Sequence, residues 1–245
     1  MTIEVQKVPL FIEIIGEPSA GKTHLACLFP QPAVIDTTKT RESYAVMRKL
    51  LSDWKSRYFP VKNFKEIREA LEKIKSNEVM FKTVVIDTSA DLRDMGSAEY
   101  LEEKKKQGKE REVLMPLEYR YVNEKIDLVS NAVLTELQMN LIHIAQMKDE
   151  WSGRGNNATP TGKRIRKGYS NANFQSSIRL FLKIEQEVDP TTMQYKGTYK
   201  RTCVVVKNRF RDVAGIEWKG VLESPLTFER IISELTDLKD GEVVQ

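Results

Sequence analysis

Residues 16–23, Gly16-Glu17-Pro18-Ser19-Ala20-Gly21-Lys22-Thr23, constrain this chain more than any other stretch. They satisfy GxxxxGK[ST] at every fixed position. The apolar run Pro9–Ile15 before them reads as a strand, and Thr23–Phe29 after them reads as the first turns of a helix. Strand, glycine loop and helix bring backbone N–H groups and a helix N-terminus around one anion. The bland alternative, a glycine turn before a helix, needs none of the fixed Lys-Thr pair. The pattern therefore predicts a nucleotide phosphate site lined by Gly16, Glu17, Pro18, Ser19, Ala20, Gly21, Lys22, Thr23 and His24. Lys22 is expected on the β- and γ-phosphates and the Thr23 hydroxyl on Mg²⁺.

At 245 residues, 40% hydrophobic and 30% charged, the chain is long enough for one α/β domain with a full core. No apolar run reaches the roughly 18 residues of a membrane span, and the N-terminus has no signal-peptide plan. Cys27 and Cys203 fall in a predicted helix and a predicted strand, as buried apolar residues of a reducing, cytoplasmic setting. His24 and His143 are the only histidines, which excludes a histidine-rich metal centre. The net charge of +4 is too small to identify a polyanionic partner by itself.

Strands are predicted at Pro9–Ile15, Ala33–Asp36, Phe81–Thr88, Met139–Gln146, Arg179–Glu187 and Tyr199–Lys207. Helical patterns separate them: Arg41–Trp54, a helix capped by Asn63 with Glu66 and running to Ser76, Leu117–Gln138, and a closing helix Phe228–Leu238 capped by Thr227. Strands alternating with helices predict a mostly parallel, doubly wound sheet. The last two strands, joined through Asp189-Pro190 and Gly197, read as an antiparallel hairpin added to it. Glu99–Glu112 reads as a solvated helix end and loop, Trp151–Ser170 as a polar basic loop, and the tail from Asp237 as frayed.

Three further pieces carry chemistry. Thr83-Val84-Val85-Ile86-Asp87 is a buried strand ending in a carboxylate, which assigns Asp87 to the Mg²⁺ shell; a helix-capping aspartate is the alternative. Asn140–Gln146 ends a strand in a neutral amide, so Gln146 is a candidate to sense the γ-phosphate or orient water. The following segment, Arg154–Gly168, has five basic residues, no acid and three glycines. Arg154, Lys163, Arg164, Arg166 and Lys167 are its candidate nucleic-acid contacts, although a solvated surface loop has the same composition. Trp151 and Tyr169 at its ends could stack on bases or anchor it to the core. Lys207-Asn208-Arg209 closes a strand with two cations suited to a transferring phosphoryl group, or to an exposed turn.

This ordered set resembles the RecA-like P-loop ATPases, specifically the compact recombination and single-strand annealing ATPases of phages and mobile elements. The resemblance spans about Val8 to Arg211. It rests on Gly16–Thr23, Ala33–Thr37, Val84–Asp87, Gln146 and Lys207-Asn208-Arg209-Phe210, which is similar to a KNRF segment and to the lysine–arginine finger of ring helicases. It implies an Mg²⁺-dependent ATPase stimulated by single-stranded DNA, assembled head to tail as a homo-oligomer and working with replication or recombination proteins. Lys22, Gln146, Glu42, Lys207 and Arg209 would be its catalytic set, with Lys207 and Arg209 completing a neighbour's site.

Two positions depart from the family pattern. Where an acidic residue is common, two places after Asp36, this chain has Thr38, and Glu42 is the nearest substitute. Glu13 places a carboxylate in a strand expected to be central, so a basic partner is expected. Thr38 keeps open a second reading, an ATP-switched helicase loader or adaptor with little hydrolysis. A small-molecule kinase would need an arginine-rich lid that the sequence lacks.

Overall fold

The computed structural model describes residues 7–152, 159–169, 171–189, 191–211, 215–219, 226–236 and 244. In chain order the elements are β1 (Phe11–Gly16), α1 (Lys22–Cys27), β2 (Pro32–Asp36), α2 (Glu42–Leu50), α3 (Trp54–Arg57), β3 (Tyr58–Pro60) and α4 (Phe64–Lys75). They continue as β4 (Thr83–Asp87), α5 (Ser89–Lys106), α6 (Tyr119–Asn131), β5 (Asn140–Ser152), β6 (Thr159–Arg166) and α7 (Ala172–Gln175). The last are β7 (Ile178–Val188), β8 (Tyr195–Asn208), β9 (Glu217–Lys219) and α8 (Phe228–Leu235).

The sheet runs β3-β2-β4-β5-β1-β7-β8-β9, with β6 paired to the outer part of β5. Pairs from β3 to β7 are parallel, and β7, β8 and β9 are antiparallel. Side chains alternate between the two faces of each strand, and on β1, β2 and β4 both faces are buried. Ile12, Ile14, Val85 and Ile142 enter a core with α1, α2 and α8, while Phe11, Val84, Ile86 and Leu141 enter a second core with α4, α5 and α6. That double burial is why these strands read as continuous apolar runs. It also sets β1 near the middle of the sheet, where the chain order reverses and α/β folds bind ligands beyond the strand ends.

The predicted parallel core and the C-terminal antiparallel strands are both present. Asn63 caps α4, its side chain accepting from the Glu66 amide at 2.9 Å. Cys27 and Cys203 are buried free thiols, each pushed up to about 12 by loss of solvent.

Other boundaries differ from expectation. The predicted helix Arg41–Trp54 divides, because Leu51 turns extended between α2 and α3. The segment expected as Leu117–Gln138 starts at Tyr119 and ends in a wide π turn at Ala132–Glu136. Helix α5 was legible only at its charged end, since its buried positions are the small Ser89, Ala90 and Gly96 with only Leu92 and Tyr100 as large side chains. A Cβ on Gly96 would stand 2.8 Å from Val122 Cγ1, so the missing side chain is what lets α6 close in. Basic residues 159–166 form a strand, not a loop. The tail from Asp237 lies outside the described residues apart from Val244.

Glu13 is fully buried on β1 and does have basic partners. Arg179 Nε donates to its Oε2 at 2.6 Å, and Arg166 Nε donates to Oε1. Removing the charge from one member of a buried ion group leaves the others uncompensated. Glu13→Gln is therefore expected to lower stability by about 3–5 kcal/mol, read as a shifted midpoint in urea unfolding.

Candidate functional site

Strand β1 delivers the loop. A Cβ on Gly16 would lie 2.3 Å from the Leu182 carbonyl oxygen of β7, so only glycine permits this spacing of the two strands. Gly21 caps α1 in the left-handed region at φ 92°. Lys22, almost wholly buried, folds back and donates to the Glu17 carbonyl at 2.5 Å. Burial lowers its pKa, against the opposing pull of Asp87, Glu42 and Glu17. The Thr23 hydroxyl donates to Asp87 Oδ2 at 2.8 Å. Burial raises the Asp87 carboxyl to about 6, with the Thr23 bond acting the other way. Strand β5 separates β4 from β1. Asp87 therefore comes from two strands away, and Thr23 meets it from the start of α1.

A cleft of about 480 Å³ is bounded by Lys22, Thr23, His24, Glu42, Asp87 and Gln146, with Pro18, Ser19 and Gly21. A larger one, about 850 Å³ between α4 and α5, has mixed charges such as Lys39, Arg41, Asp91 and Asp94. It has no ring of loop amides, so phosphate chemistry belongs to the smaller cleft. Among the described residues no cluster of three or more His, Cys, Asp or Glu forms a metal centre. A hydroxyl and one carboxylate nevertheless fit Mg²⁺, which takes few protein ligands and fills its octahedron with phosphate and water oxygens.

On the β2 side, Asp36 is fully buried and accepts from four neutral donors. These are the Thr38 amide at 2.8 Å, the Thr38 hydroxyl at 2.6 Å, Ser43 Oγ at 2.5 Å and the Tyr58 hydroxyl at 2.8 Å. This arrangement fixes the turn from β2 into α2, whose first residue is Glu42. Thr38 is thus occupied with Asp36. Glu42, exposed and accepting from the Thr40 hydroxyl at 3.0 Å, is the acidic group that reaches the cleft from this side.

Gln146 sits level with Gly16 in the β1–β5 register. Past it, β5 leaves the core and returns as β6, forming a hairpin. The Lys167 amide donates to the Gln146 carbonyl at 2.8 Å and closes the hairpin's base. Gly168 then crosses the start of α5 in the left-handed region at φ 98°. A Cβ there would meet Ala90 Cα at 2.6 Å. Tyr169 is buried, its hydroxyl bonded to Asp127 and, at 3.1 Å, to Gln175, so it anchors the segment and is unavailable for stacking.

Alternation along β6 divides the basic residues. Arg166 enters the interior on Glu13, with Nη2 donating to Ser89 Oγ at 3.1 Å. That removes it from the expected nucleic-acid contacts. Arg164, on the same side, donates to Glu17 Oε1 at 2.7 Å. Lys163 is exposed and Lys167 half-buried. Arg154 and the Trp151 side chain lie outside the described residues.

Lys207 and Arg209 lie toward the opposite end of the sheet from the loop. Asn208 pairs with Ile178, and Ile178 with Ile12 near the start of β1. Lys207 Nζ donates to the Ser176 and Phe174 carbonyls at 2.7 and 3.3 Å, whereas Arg209 is exposed. His143, Glu13, Arg179 and Lys207 are successive register partners across β5, β1, β7 and β8. Sequence reading singled out Glu13 and Lys207 but not their alignment in one row, since pairing between distant strands leaves no local pattern. Burial drives His143 down to about 3, so it stays neutral with its ring edge-on to Phe11. Also missed was Arg201, whose Nε donates to the Ser19 carbonyl at 3.5 Å.

A RecA-like sheet with a phosphate loop closing β1 defines a P-loop NTPase fold. The chain matches the sequence profile of an AAA domain over residues 9–210 and belongs to that family. No curated protein matches it by direct sequence comparison. Among solved structures, a KaiC-like protein of the hyperthermophilic archaeon Pyrococcus horikoshii OT3 superposes with a TM-score of 0.51 at 15% identity. That match covers 86% of this chain and 84% of that one. A RadB recombinase gives a TM-score of 0.47 at 16% identity, covering 87% of each chain.

Gly168→Ala forces a side chain into a left-handed position against Ala90. A loss of about 1–3 kcal/mol is expected from the strained backbone. Thermal unfolding measures the loss, and faster amide exchange across 163–168 would locate it at the hairpin base.

Proposed function

We propose that this protein is an Mg²⁺-dependent ATPase that binds single-stranded DNA and acts in recombination or annealing as a head-to-tail assembly. The observation carrying this reading is the hairpin that begins at Gln146. One residue borders the phosphate cleft while its strand continues into a projecting, lysine-bearing ribbon. In this reading Lys22 and the loop amides would hold the phosphates, and Thr23 with Asp87 would hold Mg²⁺, whose charge would stabilise the phosphate oxygens. Glu42 is the candidate to draw a proton from water, and Gln146 orients that water or the terminal phosphate. Lys163 and Lys167, with Arg154, are the candidate backbone contacts for DNA.

The trans role of Arg209 is supported by its exposure and by its position away from its own loop. A phosphate it meets would belong to another copy. Lys207 would support it through the Ser176 and Phe174 carbonyls rather than reach out itself.

A second reading, the ATP-switched loader or adaptor, is favoured by one observation. Thr38 stands where an acid would be expected and its hydroxyl is spent on Asp36, leaving an exposed Glu42 as base. In that case ATP binding would proceed with negligible turnover.

Two measurements test the reading. Lys22→Ala removes a charge-assisted contact worth about 1.5–3 kcal/mol, so ATP affinity measured by calorimetry is expected to fall roughly 10- to 100-fold. Steady-state hydrolysis is expected to rise when single-stranded DNA is added. Unchanged turnover and no DNA complex in ATP would reject recombination in favour of the loader.

A further inference from the structure

We propose that Arg164 is a phosphate-binding residue of the nucleotide cleft, carried there by the β5–β6 hairpin of the same chain, and that Glu17 holds it when no phosphate is bound. This rests on the reading of residues 16–23 as an ATP site and adds a ligand and a link to the hairpin.

Glu17 engages two cations at once. Its carbonyl accepts from Lys22 Nζ at 2.5 Å, and its carboxylate accepts from Arg164 Nη1 at 2.7 Å. Lys22 cannot both keep that carbonyl and reach a β- or γ-phosphate, so the carbonyl is a resting place that phosphate binding vacates. Arg164 has the same relation to the same residue, on the other oxygen group. Its charge already acts on Lys22, lowering that ammonium's pKa as a nearby like charge does. It also sits within 3.6 Å of Asp149 on the facing strand and is a little over one-third exposed. An ion pair that open to water contributes little. A phosphate oxygen carries more charge than Glu17 can offer and recognises a guanidinium fork well.

The neighbouring residues make the movement local. Arg166, two places along β6, is fixed on buried Glu13, and the Lys167 amide is fixed on Gln146, so the base of the hairpin stays put. Outward of Arg164 lies Gly162 at φ 76° with open space around it, and the β5–β6 register shifts between Asp149 and Trp151. Arg164 can therefore exchange Glu17 for phosphate by rotating its side chain and bending the outer hairpin. Bound phosphate would thereby reset the ribbon that carries Lys163.

The two partners give opposite expected signs. Affinity for the slowly hydrolysed analogue ATPγS with Mg²⁺ would be measured calorimetrically at low salt for wild type, Arg164→Gln, Arg164→Lys and Glu17→Gln. Arg164→Gln is expected to weaken binding about tenfold, and Arg164→Lys to recover part of the loss. Glu17→Gln removes a competing carboxylate and is expected to tighten binding severalfold. If the pair only braces the hairpin, both glutamine variants shift affinity in the same direction, which overturns the proposal. Unchanged affinity in Arg164→Gln also overturns it, while Lys22-dependent binding by the wild type leaves the ATP site standing. Absence of ATPγS binding in the wild type would remove the ATP site, and this proposal with it.

Discussion

The carboxylate of Glu13 is the point on which the architecture turns. It is buried on a central strand three residues before the phosphate loop begins, where an uncompensated charge would be untenable. Arg166 and Arg179 compensate it from two separate parts of the chain. One comes from the base of the hairpin beyond Gln146, the other from the strand on the opposite flank. A single ion group thereby fixes the loop strand, the hairpin and the C-terminal strands in one frame. The neighbour of Glu13 on β5, His143, adds no further charge there, because it is held neutral between Phe11 and Tyr169.

Around that frame, the cleft is assembled from ends of strands. Gly16 ends β1, Asp36 β2 and Asp87 β4, and Gln146 lies where β5 leaves the parallel core. Each end has a distinct local device. Close approach of Leu182 demands glycine at position 16, and neutral donors satisfy the Asp36 carboxylate. A threonine hydroxyl occupies Asp87. Convergence of such ends beyond one edge of a parallel sheet is what lets a fold of mostly apolar strands carry a polar site.

Much of this was legible in the sequence because it depends on short-range chemistry. The glycine loop, the strand ending at Asp87, the Asn63 cap and the double-sided apolar runs are all readable within a few residues. What escaped notice depends on distant partners. Arg164 and Arg166 look alike in sequence and share one side of β6, yet the separate locations of Glu17 and Glu13 give them different partners. The hairpin itself was masked by its polar composition, because it packs against few apolar groups and so lacks the alternation that marks a half-buried strand. Helix α5 was hidden for the converse reason. Its buried face alternates Leu92 and Tyr100 with the small Ser89, Ala90 and Gly96, which leaves too little apolar surface to draw a stripe.

One modest element bears on how copies of this protein could meet. Strand β3 is only Tyr58-Phe59-Pro60, and it forms one border of the sheet. Proline has no amide hydrogen to offer, and three residues make too short a template for a foreign strand. Lateral growth of the sheet is therefore blocked on that flank. Self-association there has to proceed through side-chain surfaces, whose composition can select a partner, rather than through main-chain pairing, which accepts almost any extended peptide.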